Sequence, residues 1–115
     1  PTLTINDRLG SEFLMNYYTA LYVGVPVIMV SGDAGLCAHV HEVDPQIVIC
    51  PTSEGLGGSV TSEHPTVSQG KLHQAAREAV AAMGRVKQTL PKRFKIGMGY
   101  REHKEAYKAS FYPGV

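Results

Sequence analysis

Glu12 follows Ser11 at the point where an apolar period of 3.6 begins, and this placement gives it chemical potential. Apolar side chains recur at Phe13, Leu14, Tyr17, Tyr18, Leu21 and Tyr22, the spacing of an amphipathic helix. Ser11 suits the N-cap, and Gly24 followed by Pro26 suits the stop. Glu12 then lies in the first turn, with Asn16 and Thr19 further along the same polar stripe. A first-turn acid complements the helix dipole, which accounts for it fully as a solvated surface residue. A carboxylate fixed at a helix start is also an oxygen ligand that zinc accepts. Asn16 beside it could touch substrate or support the ligand.

The other candidates have plainer readings. His39 and His41 form a His-x-His pair, which on a strand would share a face. The sequence predicts a helix there, where residues two apart point about 200° apart and do not chelate together. Asp33 follows an apolar run and fits a helix N-cap. The stretch Glu54-Gly-Leu-Gly-Gly-Ser-Val lacks both the third glycine of a dinucleotide fingerprint and the Gly-Lys-Ser/Thr of a phosphate loop. His64 precedes Pro65 and reads equally as a helix-entry residue or a catalytic one. His73 and His103 fall on expected helices and read as surface residues. No Gly-x-Ser-x-Gly elbow is present, and neither Cys37 nor Cys50 sits in a nucleophile motif.

The positioning elements follow from periodicity. Leu3 to Asn6 reads as a short strand and Asp7 to Gly10 as a turn. Val25 to Val30 and Gln46 to Cys50 are apolar runs of the kind buried on both faces of a parallel sheet. A helix is expected from Ala34 to about Val43, and a loop from Pro51 to His64. Pro65 opens a long helix with an apolar stripe at Leu72, Ala75, Ala76, Ala79, Val80 and Met83. Phe94 to Met98 alternates like a half-buried strand, and Arg101 to Ser110 reads as a last helix. This order predicts an α/β layered fold, a mostly parallel sheet flanked by helices.

Composition narrows the function class. With 43% apolar and 18% charged residues, the 115-residue chain has a globular rather than a disordered balance. Its net charge is +1, and the basic residues from Arg85 to Lys95 carry only Phe94 as an interleaved aromatic. No nucleic-acid partner is expected. The apolar run from Val23 to Val30 is short and holds Pro26, so no membrane partner is expected. Two isolated thiols and the lack of a signal core point to a cytoplasmic location.

Several segments in order resemble the DppA-like D-aminopeptidases. They are Ile5-Asn-Asp-Arg-Leu-Gly-Ser-Glu12-Phe-Leu-Met-Asn16, Val25-Pro-Val-Ile-Met-Val-Ser-Gly-Asp33, Glu63-His64-Pro65, and His103 to Gly114. The resemblance implies a zinc metallopeptidase that removes N-terminal D-amino acids from short peptides and assembles into a ring-like homo-oligomer. It implies that Glu12 is a metal ligand, with Ser11 where the family usually has glycine. The family's other ligands, an Asp-x-Glu pair and two histidines, match nothing here, nor does its catalytic histidine. The chain begins with Pro1 and is expected to be a fragment that needs a missing N-terminal part. Residues 1–90 would form the C-terminal part of the metallopeptidase core, and 91–115 the start of a further α+β segment. The contrasting expectation is a non-catalytic α/β interaction or small-ligand-binding module, with Glu12 a surface acid.

Overall fold

The chain enters through a two-residue hairpin. In the computed structural model, which describes residues 1–114, strands β1 (Thr2–Ile5) and β2 (Arg8–Leu9) are joined by Asn6 and Asp7. These two residues adopt φ of 50° and 64°, the left-handed pair that a tight hairpin requires and that Asn and Asp tolerate best. The turn therefore comes earlier than the expected Asp7 to Gly10. Gly10 then passes against β1, donating its N–H to the Leu3 carbonyl at 2.8 Å. A Cβ at Gly10 would lie 2.5 Å from Leu3 Cγ, so only glycine fits this approach.

Helix α1 (Glu12–Tyr22) follows and is capped at both ends. Ser11 Oγ accepts the Leu14 N–H at 3.1 Å. At the far end Gly24, at φ 76°, places its N–H on the Leu21 carbonyl and the next N–H, from Val25, on the Ala20 carbonyl. That is the Schellman pattern, in which a left-handed glycine satisfies the last carbonyls.

Strand β3 (Met29–Asp33) leads into helix α2 (Ala34–Val43), where Asp33 Oδ1 accepts the Leu36 N–H at 3.0 Å as the expected cap. Strand β4 (Val48–Leu56) pairs with β3 in parallel, Met29 opposite Val48. The two apolar runs thus form the parallel pair of an α/β fold, but with shifted bounds. Val25 to Ile28 lie outside the strand, with Pro26 unable to donate to a ladder. Ser31 to Asp33, which follow the apolar run, continue it.

The stretch Pro51 to His64, expected to be a loop, is mostly a hairpin. β4 runs on through Leu56, and β5 (Ser59–Ser62) returns antiparallel after Gly57, at φ 61°. Its glycine and serine content hid the strands because β5 packs against no apolar layer and all four of its residues are exposed.

Helix α3 (Pro65–Ala82) and a 3₁₀ turn (Met83–Arg85) are followed by β6 (Ile96–Gly99) and helix α4 (His103–Ala109). β6 pairs antiparallel with β1, giving a second sheet in the order β2-β1-β6 beside β3-β4-β5. The expected mostly parallel arrangement therefore holds at β3–β4, and the pairings around it are antiparallel.

The core lies between α1, α2 and the start of both sheets. Ile5, Leu14, Tyr17, Val40 and Ile47 are buried together, with Leu3, Phe13, Tyr18, Val30 and Ile49 packed around them. One charged residue sits within it: Asp44, 5% exposed. Its Oδ2 accepts from Tyr17 Oη at 3.0 Å and Gln88 Nε2 at 2.8 Å. Its Oδ1 accepts from the Gln46 N–H at 3.0 Å and Gln46 Nε2 at 3.1 Å. Burial pushes the Asp44 carboxyl up, but these four bonds together outweigh it and hold the group below its ordinary range. Burial, reinforced by the Asp44 charge, pushes the Tyr17 phenol well up.

On α3 only Ala75 and Ala79 of the expected stripe are buried, while Val80 and Met83 are exposed. Between α3 and β4 runs an open groove of about 410 Å³, lined by Val48, Ile49, Lys71 and Gln74. The chain measures 50 × 38 × 18 Å, with a radius of gyration of 17.4 Å. A compact chain of this length has about 13 Å. Phe94, Ile96, Met98, Tyr107, Phe111 and Tyr112 are exposed along its C-terminal part. Among the described residues, no helix is long and apolar enough to cross a membrane.

Candidate metal-ligand site at the start of helix α1

The start of α1 is fixed from three directions. Gly10 is bonded to β1, Ser11 caps the first turn, and β1 is itself held between β2 and β6. Glu12 is the first helical residue, and its side chain is exposed. Among the described residues its carboxylate has no hydrogen-bond or ion-pair partner. It therefore stands at the positive end of the helix dipole with its oxygens free. Asn16, also exposed, is one turn further along. Residues at this spacing share a helix face, so the two polar groups are neighbours as expected. Thr19, the third member of the stripe, turns its hydroxyl back to the Met15 carbonyl at 2.8 Å, a bond internal to the helix.

The histidines separate as the helix geometry requires. His41 is exposed, whereas His39 is half-buried and reaches α1, its Nε2 3.0 Å from Ser11 Oγ. An open cavity of about 460 Å³ lies alongside, bounded by Arg8, Leu9, His39, Glu42 and Val43. Arg8 crosses it to donate to the Glu42 carbonyl at 3.4 Å. Sequence reasoning missed the contact between His39 and Ser11. Its partners are 28 residues apart and belong to different periodic segments, so local spacing carries no trace of it.

His64 is a helix-entry residue. Its Nδ1 accepts the Thr66 N–H at 3.3 Å as the N-cap of α3. Glu63, just before it, pairs with Lys71, and among the described residues its second oxygen is buried without a partner. His73 and His103 are exposed, as expected. Cys37 and Cys50 are free thiols, both buried. Burial is the main cause that raises the Cys37 thiol above its ordinary value, the opposite of an activated nucleophile.

Among the described residues, no three His, Cys, Asp or Glu side chains lie together in a way that could hold a metal ion. A zinc site takes three or four protein ligands. The described residues therefore do not make up a metal site by themselves. Among the described residues, Glu12 is an unpaired carboxylate on a firmly capped helix, and a carboxylate oxygen is a donor that zinc accepts.

The sequence matches the model of peptidase family M55, the D-aminopeptidases, across residues 1–115, and the chain belongs to that family. It is 28% identical over 113 residues to the D-aminopeptidase of Bacillus subtilis (strain 168), covering 96% of this chain and 41% of that protein. It also superimposes on a solved structure described as "Zn-dependent D-aminopeptidase DppA from Bacillus subtilis, a self-compartmentalizing protease". The TM-score is 0.85 at 27% identity, covering 98% of this chain and 42% of the other. The chain thus spans about two-fifths of the length of these relatives.

Proposed function

We propose that this chain contributes one metal ligand, Glu12, to a zinc-dependent aminopeptidase that hydrolyses N-terminal D-amino acids from short peptides. The observation that carries the reading is the free, exposed Glu12 carboxylate at the capped start of α1, within a chain that matches the D-aminopeptidase family throughout. Zinc, when bound, supplies Lewis-acid chemistry for amide hydrolysis. Glu12 holds it with a carboxylate oxygen, and the α1 backbone fixes the direction of that oxygen. Asn16, one turn on, offers an amide that can donate to a peptide carbonyl or accept from its N–H groups.

The remaining ligands come from a part of the protein outside these residues, so residues 1–115 alone are inactive and bind zinc weakly. In this reading residues 1–90 belong to the metallopeptidase core, and 91–115 open the segment that follows it. The assembly is a homo-oligomer. The flattened 18 Å dimension and the exposed apolar residues from Phe94 to Tyr112 support burial against further protein.

Glu12→Gln in the full-length enzyme tests the reading. The substitution keeps the size and removes the ligand charge. Zinc affinity and hydrolysis of a D-alanyl peptide are expected to fall at least 10–100-fold, the range typical of losing even a ligand's supporting partner. Folding survives, because a first-turn acid contributes only about 0.3–1 kcal/mol through the dipole. Normal zinc content with normal turnover would return Glu12 to the role of a surface acid.

A further inference from the structure

We propose that the basic strap between α3 and β6 is the surface through which one copy of the chain grips an acidic surface on the next. The inference rests on the homo-oligomer reading and names the face that makes the contact. Residues 86–95 form no helix or strand, yet they are pinned along their length. Gln46 brackets the Lys87 peptide, accepting its N–H at 2.9 Å and donating to its carbonyl at 2.8 Å. Gln88 reaches inward to the Val27 peptide and to Asp44. Asn6 donates its N–H to the Lys95 carbonyl at 2.9 Å, and its side-chain oxygen accepts the Lys95 N–H at 2.8 Å. Phe94 meets the Tyr18 ring edge-on, 5.1 Å between centroids.

Charge is sharply divided between this strap and the chain before it. Six cations and no acid lie between Glu78 and Glu102, whereas residues 1–78 hold eight acids and three cations. Arg85, Lys87, Lys92 and Arg93 are exposed, and among the described residues their side chains have no hydrogen-bond or ion-pair partner. The acids at the strap are already engaged. Asp7 pairs with Lys95, and Asp44 is buried under four donors. The anchored backbone keeps the four cations close together, and their mutual repulsion is relieved by acids from outside. The strap runs on into Phe94, Ile96 and Met98, exposed at alternate positions. Apolar groups beside a charged rim are the anatomy of a protein interface, where a polyanion groove would carry cations and stacking rings. Two straps facing each other would juxtapose like charges, which opposes association. The strap therefore meets a different surface of the next copy, head to tail. Asp33, Glu42, Glu54 and Glu78 supply the complement, being exposed and outside any ion pair among the described residues.

The test combines Arg85→Glu, Lys87→Glu, Lys92→Glu and Arg93→Glu in the full-length enzyme. Sedimentation velocity gives the subunit dissociation constant, and circular dichroism checks the fold. Gln88 and Asn6 are untouched, so the strap keeps its anchors. The reversal is expected to raise the dissociation constant at least about 100-fold, since like charges then meet across the contact. The parent itself should loosen between about 0.01 M and about 1 M salt, where the screening length falls from about 30 to about 3 Å. Arg77→Glu, at an exposed position of α3, is the control and should keep the parental constant. If the reversed chain fails to fold, the same four positions as glutamine decide, with a loss of at least about 10-fold expected. A folded variant that assembles like the parent overturns the inference, as does a control that dissociates equally or a parent indifferent to salt. A glutamine variant that melts lower without dissociating sets the strap against the rest of its own chain and also overturns it. So does a variant that keeps its size but loses binding of a fluorescent oligonucleotide shown by the parent. If the parent is a monomer at every concentration, the homo-oligomer reading falls too; if it assembles and only the strap variants are without effect, that reading stands and this contact alone fails.

Discussion

Asp44→Asn is expected to destabilise the protein by about 3–5 kcal/mol, far more than a change of one atom suggests. The aspartate has two acceptor oxygens, each taking two hydrogen bonds from a fixed donor pair. The asparagine has one oxygen and one NH₂, so one donor pair must face another donor. Neither glutamine can turn to adapt. Gln88 is held by the Val27 peptide, accepting its N–H at 2.9 Å and donating to its carbonyl at 2.8 Å. Gln46 is held in the same way by Lys87, at 2.9 and 2.8 Å. Only the Tyr17 hydroxyl can rotate. Bonds to an ionised acceptor contribute about 1.5–3 kcal/mol each, against about 0.5–1.5 for neutral ones. The two surviving bonds therefore weaken by about 1 kcal/mol each, and an unsatisfied buried donor adds about 1–3. Urea unfolding followed by circular dichroism measures the loss through the midpoint at constant slope. Glu42→Gln, at an exposed neighbouring position, serves as the control and should stay within about 0.5 kcal/mol. A loss below about 1 kcal/mol for Asp44→Asn, with the slope unchanged, would refute the account of Asp44 as a rigidly matched acceptor.

The same carboxyl gives an acid signature. Because folding lowers its pKa, its stabilisation is fully present above the unfolded value of about 3.9 and is lost as pH falls through the lower folded value. The parent should thus lose stability below about pH 4 more steeply than Asp44→Asn, and parallel pH–stability curves would contradict this. Leu14→Ala, at a fully buried position of α1, should cost about 2–5 kcal/mol through lost contact and the cavity left behind. A loss under about 1 kcal/mol in urea unfolding would show that α1 repacks freely.

Much of the scaffold was legible because its signals are local. The Ser11 and Asp33 caps, the Gly24 stop and the 3.6-residue stripe of α1 all depend on neighbours within a turn or two, and they stand as read except at Tyr22, which is exposed. The parallel pairing of the two apolar runs was also legible, since β-branched runs between amphipathic helices have few other uses. The β4–β5 hairpin was not, because its strands gain no apolar face that a pattern could mark. Full burial of β3 and the complete α3 stripe failed for a related reason. Periodicity reports which face is apolar, not whether anything within these residues covers it. In the candidate site, Glu12 and Asn16 could be placed on one face from spacing alone. The bond from His39 and the donors around Asp44 are tertiary pairings between segments far apart in the chain, which periodicity does not encode.

The pairing of β1 with β6 sets an order of events. Thr2 to Ile5 find their partners only at Ile96 to Gly99, across at least ninety residues of intervening chain. Contacts of such long sequence separation carry a loop-closure entropy that local helices avoid, and they slow folding. During synthesis α1 is completed early, but the strand that orients its first turn must wait for nearly all of this stretch to emerge. The carboxylate at that turn is thus made well before the strand pairing that orients it.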